Sequence, residues 1–165
     1  FQRKQTDAAL QQLKLINQGK NRYSGLLEAQ IKLLDHQDDE SMRLLEQLNR
    51  RYPGDPAIIQ QTAENLLIQG KPAQALMLLR PYRLTEAAWL PLLQTRAEAE
   101  SQSGRQINSH ETMASYYEFR GHLTRALEQI QLALKLASPD SVAHARLEVQ
   151  QKNLRERITQ KRRES

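Results

Sequence analysis

The sequence predicts an all-α fold, a solenoid of about nine antiparallel helices, and three observations support this fold class. Leu occurs 26 times, Gln 20 times and Ala 17 times, so residues that favour helices dominate. Val occurs only twice, and the β-branched and aromatic residues that favour strands are scarce. Sequence patterns also recur every 34 residues, the period of a repeat built from two helices. Sandwich and parallel-sheet folds are therefore excluded.

Small and apolar residues occupy the repeated positions. The corresponding pairs are Ala29 and Ala63, Ser41 and Ala75, and Leu45 and Leu79. A further copy begins at Gly121, 51 residues after Gly70, which is one and a half periods. The spacing therefore predicts an extra helix inserted around Trp89. Because one helix pair is too small to bury its own apolar face, neighbouring pairs are expected to stack on each other.

Turn signals and apolar periodicity place the individual helices. The segment Pro-Gly-Asp-Pro at 53–56 is the strongest helix breaker in the chain. Gly70 and Gly121 suit the left-handed position after a helix, and Pro72 suits the first turn of the next one. We predict helices at 5–18, 22–36, 39–52, 56–69, 72–82, 85–102, 105–120, 123–137 and 139–160.

We interpret the whole chain, residues 1–165, as one repeat domain. Its predicted parts are a truncated repeat at 1–21, repeats at 22–55 and 56–84, an inserted helix at 85–104, a repeat at 105–138, and a capping helix with a basic tail at 139–165. The first helix has no partner before it, and Phe1 is not an initiator Met. We therefore expect the sequence to begin inside a repeat of a longer protein.

Positive charge is concentrated near the C-terminus. Residues 146–165 contain seven Lys or Arg and three Glu, which accounts for +4 of the net charge of +5. The run Lys161–Arg163 contains no aromatic residue for stacking on bases, so nucleic-acid binding is not predicted. A solvated helix end is the simplest interpretation, and an acidic partner or anionic lipid head groups are the alternatives. No apolar run approaches the ~20 residues of a membrane span.

Residues that could support catalysis or metal binding are few. The chain has no Cys, which excludes thiolate catalysis and Cys-type zinc sites. His144 and Glu148 lie one helical turn apart and could supply two metal ligands, although an exposed helix pair explains them more simply. The acidic residues 38–40 are interpreted as a cap for the helix beginning near Ser41. We expect no catalytic residue, metal site or cofactor in this chain.

A groove is the remaining kind of site. In stacked helix pairs the first helix of each pair lines the concave face, and its inward residues recur every three or four positions. Asn and Gln can hydrogen-bond a partner's backbone, and aromatic residues can anchor the partner. The predicted groove residues are Tyr23, Gln30, Gln60, Glu64, Asn65, Gln94, Glu111 and Glu118. Solvated polarity is the alternative for the amides, and core packing is the alternative for Trp89.

The segments 65–75 and 114–126 resemble tetratricopeptide repeats, which are protein-interaction scaffolds. A longer order of motifs is more specific. It consists of Trp-Leu-Pro-Leu-Leu at 89–93, Arg-Ala-Glu-Ala at 96–99, a turn at Gly104, the helix at 110–121, and Arg-Ala-Leu-Glu-Gln at 125–129. This order is similar to the C-terminal domain of BepA-type periplasmic metalloproteases of the M48 peptidase family. The resemblance covers about residues 7–160.

The resemblance implies a noncatalytic interaction domain of a periplasmic zinc metallopeptidase. The signature H-E-x-x-H is absent, because His110 and Glu111 are not followed by a second His at that spacing. Catalysis and zinc are therefore expected in a protease domain outside this chain. The implied partners are that protease domain, the β-barrel assembly machinery of the outer membrane, and the unfolded substrates of outer-membrane quality control. Ser41 departs from the Ala usual in the family.

Two alternatives stay open at this point. The chain could be a stand-alone tetratricopeptide adaptor that binds a peptide or a partner helix. It could also self-associate through the incomplete first repeat, because a missing neighbour leaves apolar surface uncovered.

Overall fold

The computed structural model describes residues 21–82 and 90–164, together with Ala8 and Gln11. Within the two ranges the helices are α1 (Arg22–Leu34), α2 (Asp38–Arg51), α3 (Pro56–Ile68), α4 (Pro72–Leu79), α5 (Leu90–Gln102), α6 (Gln106–Phe119), α7 (Leu123–Leu136) and α8 (Val142–Arg163). The described residues include no strand, so the predicted all-α class is confirmed. The predicted helix at 5–18 and the segment 83–89, with Trp89, lie outside the two ranges.

The ends of these helices follow local chemistry. α4 ends at Leu79 and not at 82, because Pro81 disfavours a helical conformation at the residue before it. α8 begins at Val142 and not at 139, because Ser141 caps the helix and its Oγ accepts a hydrogen bond from the His144 amide at 3.1 Å. The acidic residues Asp38–Glu40 form the first turn of α2 itself, where negative charge is favourable.

Left-handed turns follow α1, α3 and α5 at a constant spacing. His36, Gly70 and Gly104 have φ angles of 59°, 68° and 74°, and each lies 34 residues from the next. Gly121, with φ of 73°, follows half a period later. Residues with a Cβ atom are disfavoured at positive φ, so glycine suits three of these turns and His36 is the exception. The prediction of left-handed glycines at Gly70 and Gly121 is confirmed.

The chain divides into two compact units between Leu78 and Leu79. In the first unit, α1 and α2 form a helical hairpin and α3 packs against both. The core there contains Ala29, Leu45, Leu48 and Ile58. α1 approaches α2 closely at Gly25, because a Cβ atom at this position would lie 2.6 Å from a methyl carbon of Leu48.

Buried hydrogen bonds between side chains and backbone link helices α1, α2 and α3 of the first unit. The hydroxyl of Ser41 on α2 donates to the carbonyl oxygen of Ala29 on α1 at 2.6 Å. The Ser41 hydroxyl oxygen in turn accepts a hydrogen bond from Nδ2 of Asn65 on α3 at 2.8 Å. All three residues are completely buried. Because a buried polar group is costly unless it is paired, these hydrogen bonds favour one arrangement of the helices.

In the second unit α5 packs on α6, α6 on α7 and α7 on α8. The core of this unit is formed by Ala114, Ala126, Ile130, Ala133, Ala137, Leu147 and Leu154. The hydroxyl of Ser109 on α6 donates to the carbonyl oxygen of Ala97 on α5 at 2.7 Å. This contact repeats the one between Ser41 and Ala29 in the first unit.

Pairs of small residues twelve positions apart recur in four pairs of consecutive helices. They are Ala29 with Ser41, Ala63 with Ala75, Ala97 with Ser109, and Ala114 with Ala126. The first three pairs follow the 34-residue period, so α5 and α6 are in phase with α1 and α2, a relation that the sequence analysis missed. The fourth pair is offset by half a period. Helix α6 is therefore the second member of one hairpin and the first member of the next.

Candidate protein-binding surfaces

The first unit contains a cleft of about 280 Å³ between α1 and α3. Contacts along the two helices show that they run parallel. Arg22, at the start of α1, forms an ion pair with Asp55, the residue that caps α3. Further along, Nε2 of Gln61 donates to the carbonyl oxygen of Leu26 at 2.9 Å. The parallel arrangement places equivalent faces of the two helices on the same side.

Three predicted groove residues, Gln30, Gln60 and Glu64, line this cleft together. Nε2 of Gln60 donates to Oε1 of Glu64 at 2.8 Å, a bond that uses one of the two carboxylate oxygens. Leu34 and Ile68 also line the cleft and are 56% and 67% exposed. The cleft thus combines polar groups that can bind a peptide backbone with apolar side chains that can contact a partner's side chains.

The two other groove residues predicted in the first unit lie elsewhere. Tyr23 is 70% exposed but lies outside the lining of the cleft, and the Arg22 guanidinium sits 4.4 Å from the centre of its ring. Asn65 is completely buried and donates to Ser41. The prediction that Asn65 lines an accessible groove is therefore wrong, because its side chain points into the core and joins helices.

In the second unit, α8 pairs with two of the predicted groove carboxylates. Arg146 donates from Nε and one terminal nitrogen to the two oxygens of Glu111, at 2.9 and 2.6 Å. Arg157 forms an ion pair with Glu118. Such paired contacts orient both side chains, and a partner would have to compete with them. The sequence analysis missed both arginines, because nothing in their spacing reveals which helix they contact.

A second cleft, of about 460 Å³, lies beside the pair of Arg146 and Glu111. Glu100 lines it with only 4% exposure, and accepts hydrogen bonds from Arg96 at 2.9 Å and from the Thr112 hydroxyl at 2.6 Å. Gln94 is exposed but lies outside the lining. The carboxylates of this cleft therefore have partners within the unit.

Two side chains outside both clefts have shifted pKa values. A hydrogen bond to Asp55 raises the pKa of Arg22, and a hydrogen bond from Lys32 lowers the pKa of Glu40. Each shift favours the charged form of a group near the start of a helix. These shifts therefore describe ion pairs of the first unit.

Side chains that could bind a metal ion form no metal-binding group in the described residues. Among residues 21–82 and 90–164, no three His, Cys, Asp or Glu side chains are grouped as a metal site requires. Nδ1 of His144 lies 3.8 Å from Oε2 of Glu148, which is beyond hydrogen-bond distance. No helix in the described part of the chain is long and apolar enough to cross a membrane.

The sequence matches no protein-family model and no curated protein.

Proposed function

We propose that this chain is a noncatalytic tetratricopeptide-type α-solenoid that binds proteins, and that it belongs to a BepA-like periplasmic zinc metalloprotease of the M48 family. The single observation that supports it best is the cleft in which Gln30, Gln60 and Glu64 meet exposed Leu34 and Ile68. A cleft of this composition can hold an extended segment or a helix face of another protein.

The regular packing supports the tetratricopeptide part of the proposal. Small residues twelve positions apart recur in four pairs of helices, and left-handed turns recur every 34 residues at His36, Gly70 and Gly104. Both features agree with the repeat length of this class. Ser41, the departure from the family's usual Ala, is completely buried and packs where a small residue is needed.

In the full-length protein, the proposed role is to hold the outer-membrane β-barrel assembly machinery, or an unfolded outer-membrane protein, near a protease domain. Linking a binding domain to a protease raises the effective concentration of substrate at the active site. Zinc and catalysis belong to the protease domain in this proposal, and this chain supplies the binding surface. The proposed location is the periplasm.

The test measures binding of this chain to purified β-barrel assembly machinery by surface plasmon resonance. Glu64→Lys reverses a charge inside the first-unit cleft, and Glu46→Lys makes the same change at an exposed position of α2 outside it. We expect Glu64→Lys to weaken binding about tenfold and the control to change it less than about twofold, since partner charges act over short distances at physiological salt.

Two results would contradict the proposal. One is the absence of binding by the unaltered chain, and the other is an equal loss of affinity in both variants. Binding of an unrelated amphipathic helix in the cleft, without binding of the assembly machinery, would instead favour the stand-alone adaptor.

A further inference from the structure

A larger cleft, of about 670 Å³, lies within the second unit and has no role in the proposed function. It is formed where the first turn of α7 meets the last two turns of α8. Leu123 on α7 and Ile158 on α8, both half-buried, supply apolar lining. The cleft is concave and open to solvent, so a side chain or a short segment of another molecule can enter it.

Positive charge dominates the rim of this cleft. Arg125, Lys161 and Arg162 line it, whereas Glu128 is the single acidic residue in the lining. Two of these cations lie in the last turn of α8, the most basic part of the chain. The guanidinium of Arg125 lies 5.8 Å from the centre of the Tyr117 ring, a cation–π contact that restrains its position. The cleft therefore has a net positive charge beside an apolar surface.

We propose that this cleft binds acidic peptide segments in which carboxylates alternate with apolar side chains. The carboxylates would pair with Arg125, Lys161 and Arg162, and the apolar side chains would contact Leu123 and Ile158. Charge complementarity brings such a segment to the cleft, and the apolar lining adds contact area once it is bound. This site gives the chain a second protein-binding surface of opposite electrostatic character to the cleft that contains Glu64.

The lining of the site favours a peptide over the other polyanions. A flat lipid bilayer can pair with the exposed cations, but it reaches the half-buried Leu123 and Ile158 less well than a narrow peptide does. Non-specific binding of single-stranded nucleic acid uses several aromatic side chains as stacking platforms, and the lining of this cleft contains no Phe, Tyr or Trp. A membrane is retained as an outcome of the test.

The test uses fluorescence anisotropy with a fluorescein-labelled peptide of alternating Glu and Leu and the complete 165-residue chain. The cleft variant combines Arg125→Gln with Arg162→Gln. The control variant combines Lys152→Gln with Arg163→Gln, two exposed positions of α8 outside the lining, so the two variants have the same net charge. The cleft variant loses the two exposed ion pairs that Arg125 and Arg162 would make with the peptide carboxylates. It is therefore expected to bind about tenfold more weakly.

Further arms of the experiment test each part of the inference. The control variant should bind within about twofold of the unaltered chain, and affinity should fall as salt increases. A peptide with Ser in place of Leu should bind more weakly if the apolar lining is used. Equal losses in the two variants, or equal affinity for a Lys–Leu peptide, would overturn the proposal.

Vesicles containing phosphatidylglycerol provide the membrane arm of the test. Vesicle binding that depends on Arg125 and Arg162, together with undetectable peptide binding, would replace the peptide by a lipid surface and overturn the inference. None of these measurements involves the β-barrel assembly machinery or Glu64. The proposed function and this inference can therefore fail independently.

Discussion

Two polar links between helices, one in each unit, differ in how far they are exposed to solvent. In the first unit a buried, uncharged chain of hydrogen bonds runs from Asn65 through Ser41 to the carbonyl of Ala29. In the second unit, α8 is held to α6 by ion pairs from Arg146 and Arg157, whose side chains are half exposed. Buried hydrogen bonds are shielded from solvent, whereas exposed ion pairs are screened by salt and compete with water.

This difference indicates where each unit can bind a partner without losing its own contacts. In the first unit the hydrogen bond between Gln60 and Glu64 lies within α3, so these cleft residues do not use it to join two helices. In the second unit Glu111 and Glu118 already contribute to packing. The Glu64 carboxylate therefore bonds within its own helix, whereas Glu111 and Glu118 pair with a different helix.

The largest expected effect is at Asn65. Asn65→Ala removes the hydrogen bond to Ser41 and leaves a small cavity, and it should lower the free energy of unfolding by about 2–3 kcal/mol. Chemical denaturation followed by circular dichroism measures the change. Gln94→Ala, at an exposed position, is the control and should stay within about 0.5 kcal/mol of the unaltered protein. A loss at Asn65 as small as that of the control would show that the buried chain contributes little.

Two serines in equivalent positions allow a comparison of stability: Ser41 takes part in two linked hydrogen bonds, and Ser109 donates one. Ser41→Ala leaves Nδ2 of Asn65 without its acceptor and should cost about 1–2 kcal/mol. Ser109→Ala removes the equivalent bond to Ala97 in the second unit and should cost about 0.5 kcal/mol. The same denaturation experiment compares them. If both substitutions lower the free energy of unfolding by the same amount, the hydrogen bond from Asn65 to Ser41 adds no stability of its own.

A smaller effect is expected for the ion pair between α8 and α6. Arg146→Gln should destabilise the protein by about 0.5 kcal/mol at low ionic strength, because its side chain is 51% exposed. At about 1 M salt the difference from the unaltered protein should nearly vanish. The effect of Asn65→Ala should persist at that salt concentration. A salt-independent loss at Arg146 would mean that its aliphatic part matters more than its charge.

The smallest effect concerns Glu40, whose pKa is lowered by Lys32 from its ordinary value of 4.5. A lowered folded-state pKa means that the pair stabilises the protein above pH 4.5, and that this contribution disappears as the pH falls through the lowered pKa. Lys32→Met should raise the pKa of Glu40 toward 4.5, measured by NMR titration of its carboxyl carbon. Lys71→Met should leave that titration unchanged. An unchanged titration in Lys32→Met would rule out this pairing in solution.

Much of the fold was predictable because it depends on local chemistry. Proline, glycine and apolar spacing predicted the helices from α1 to α8 to within three residues wherever both ends are described. The place of α5 in the 34-residue period was missed, although Gly104, Ala97 and Ser109 carry it. The stronger likeness between the segments after Gly70 and Gly121 directed attention to a step of 51 residues.

The candidate site was less predictable, because it depends on contacts between distant residues. Helical periodicity predicted that Gln30, Gln60 and Glu64 share one face, and the three residues line one cleft. The prediction that Asn65 is accessible was based on its polar side chain, and it is wrong. The sequence alone cannot distinguish a buried amide that has a hydrogen-bond partner from an exposed amide. The pairing of Glu111 with Arg146, 35 residues later, has no local sequence signal.

Helix α6 packs on α5 with the small residue Ser109 and on α7 with the small residue Ala114. A helix that serves in both positions means that helices can be added to this unit one at a time as well as in pairs. Each single addition exchanges the first and second positions in the hairpins that follow it.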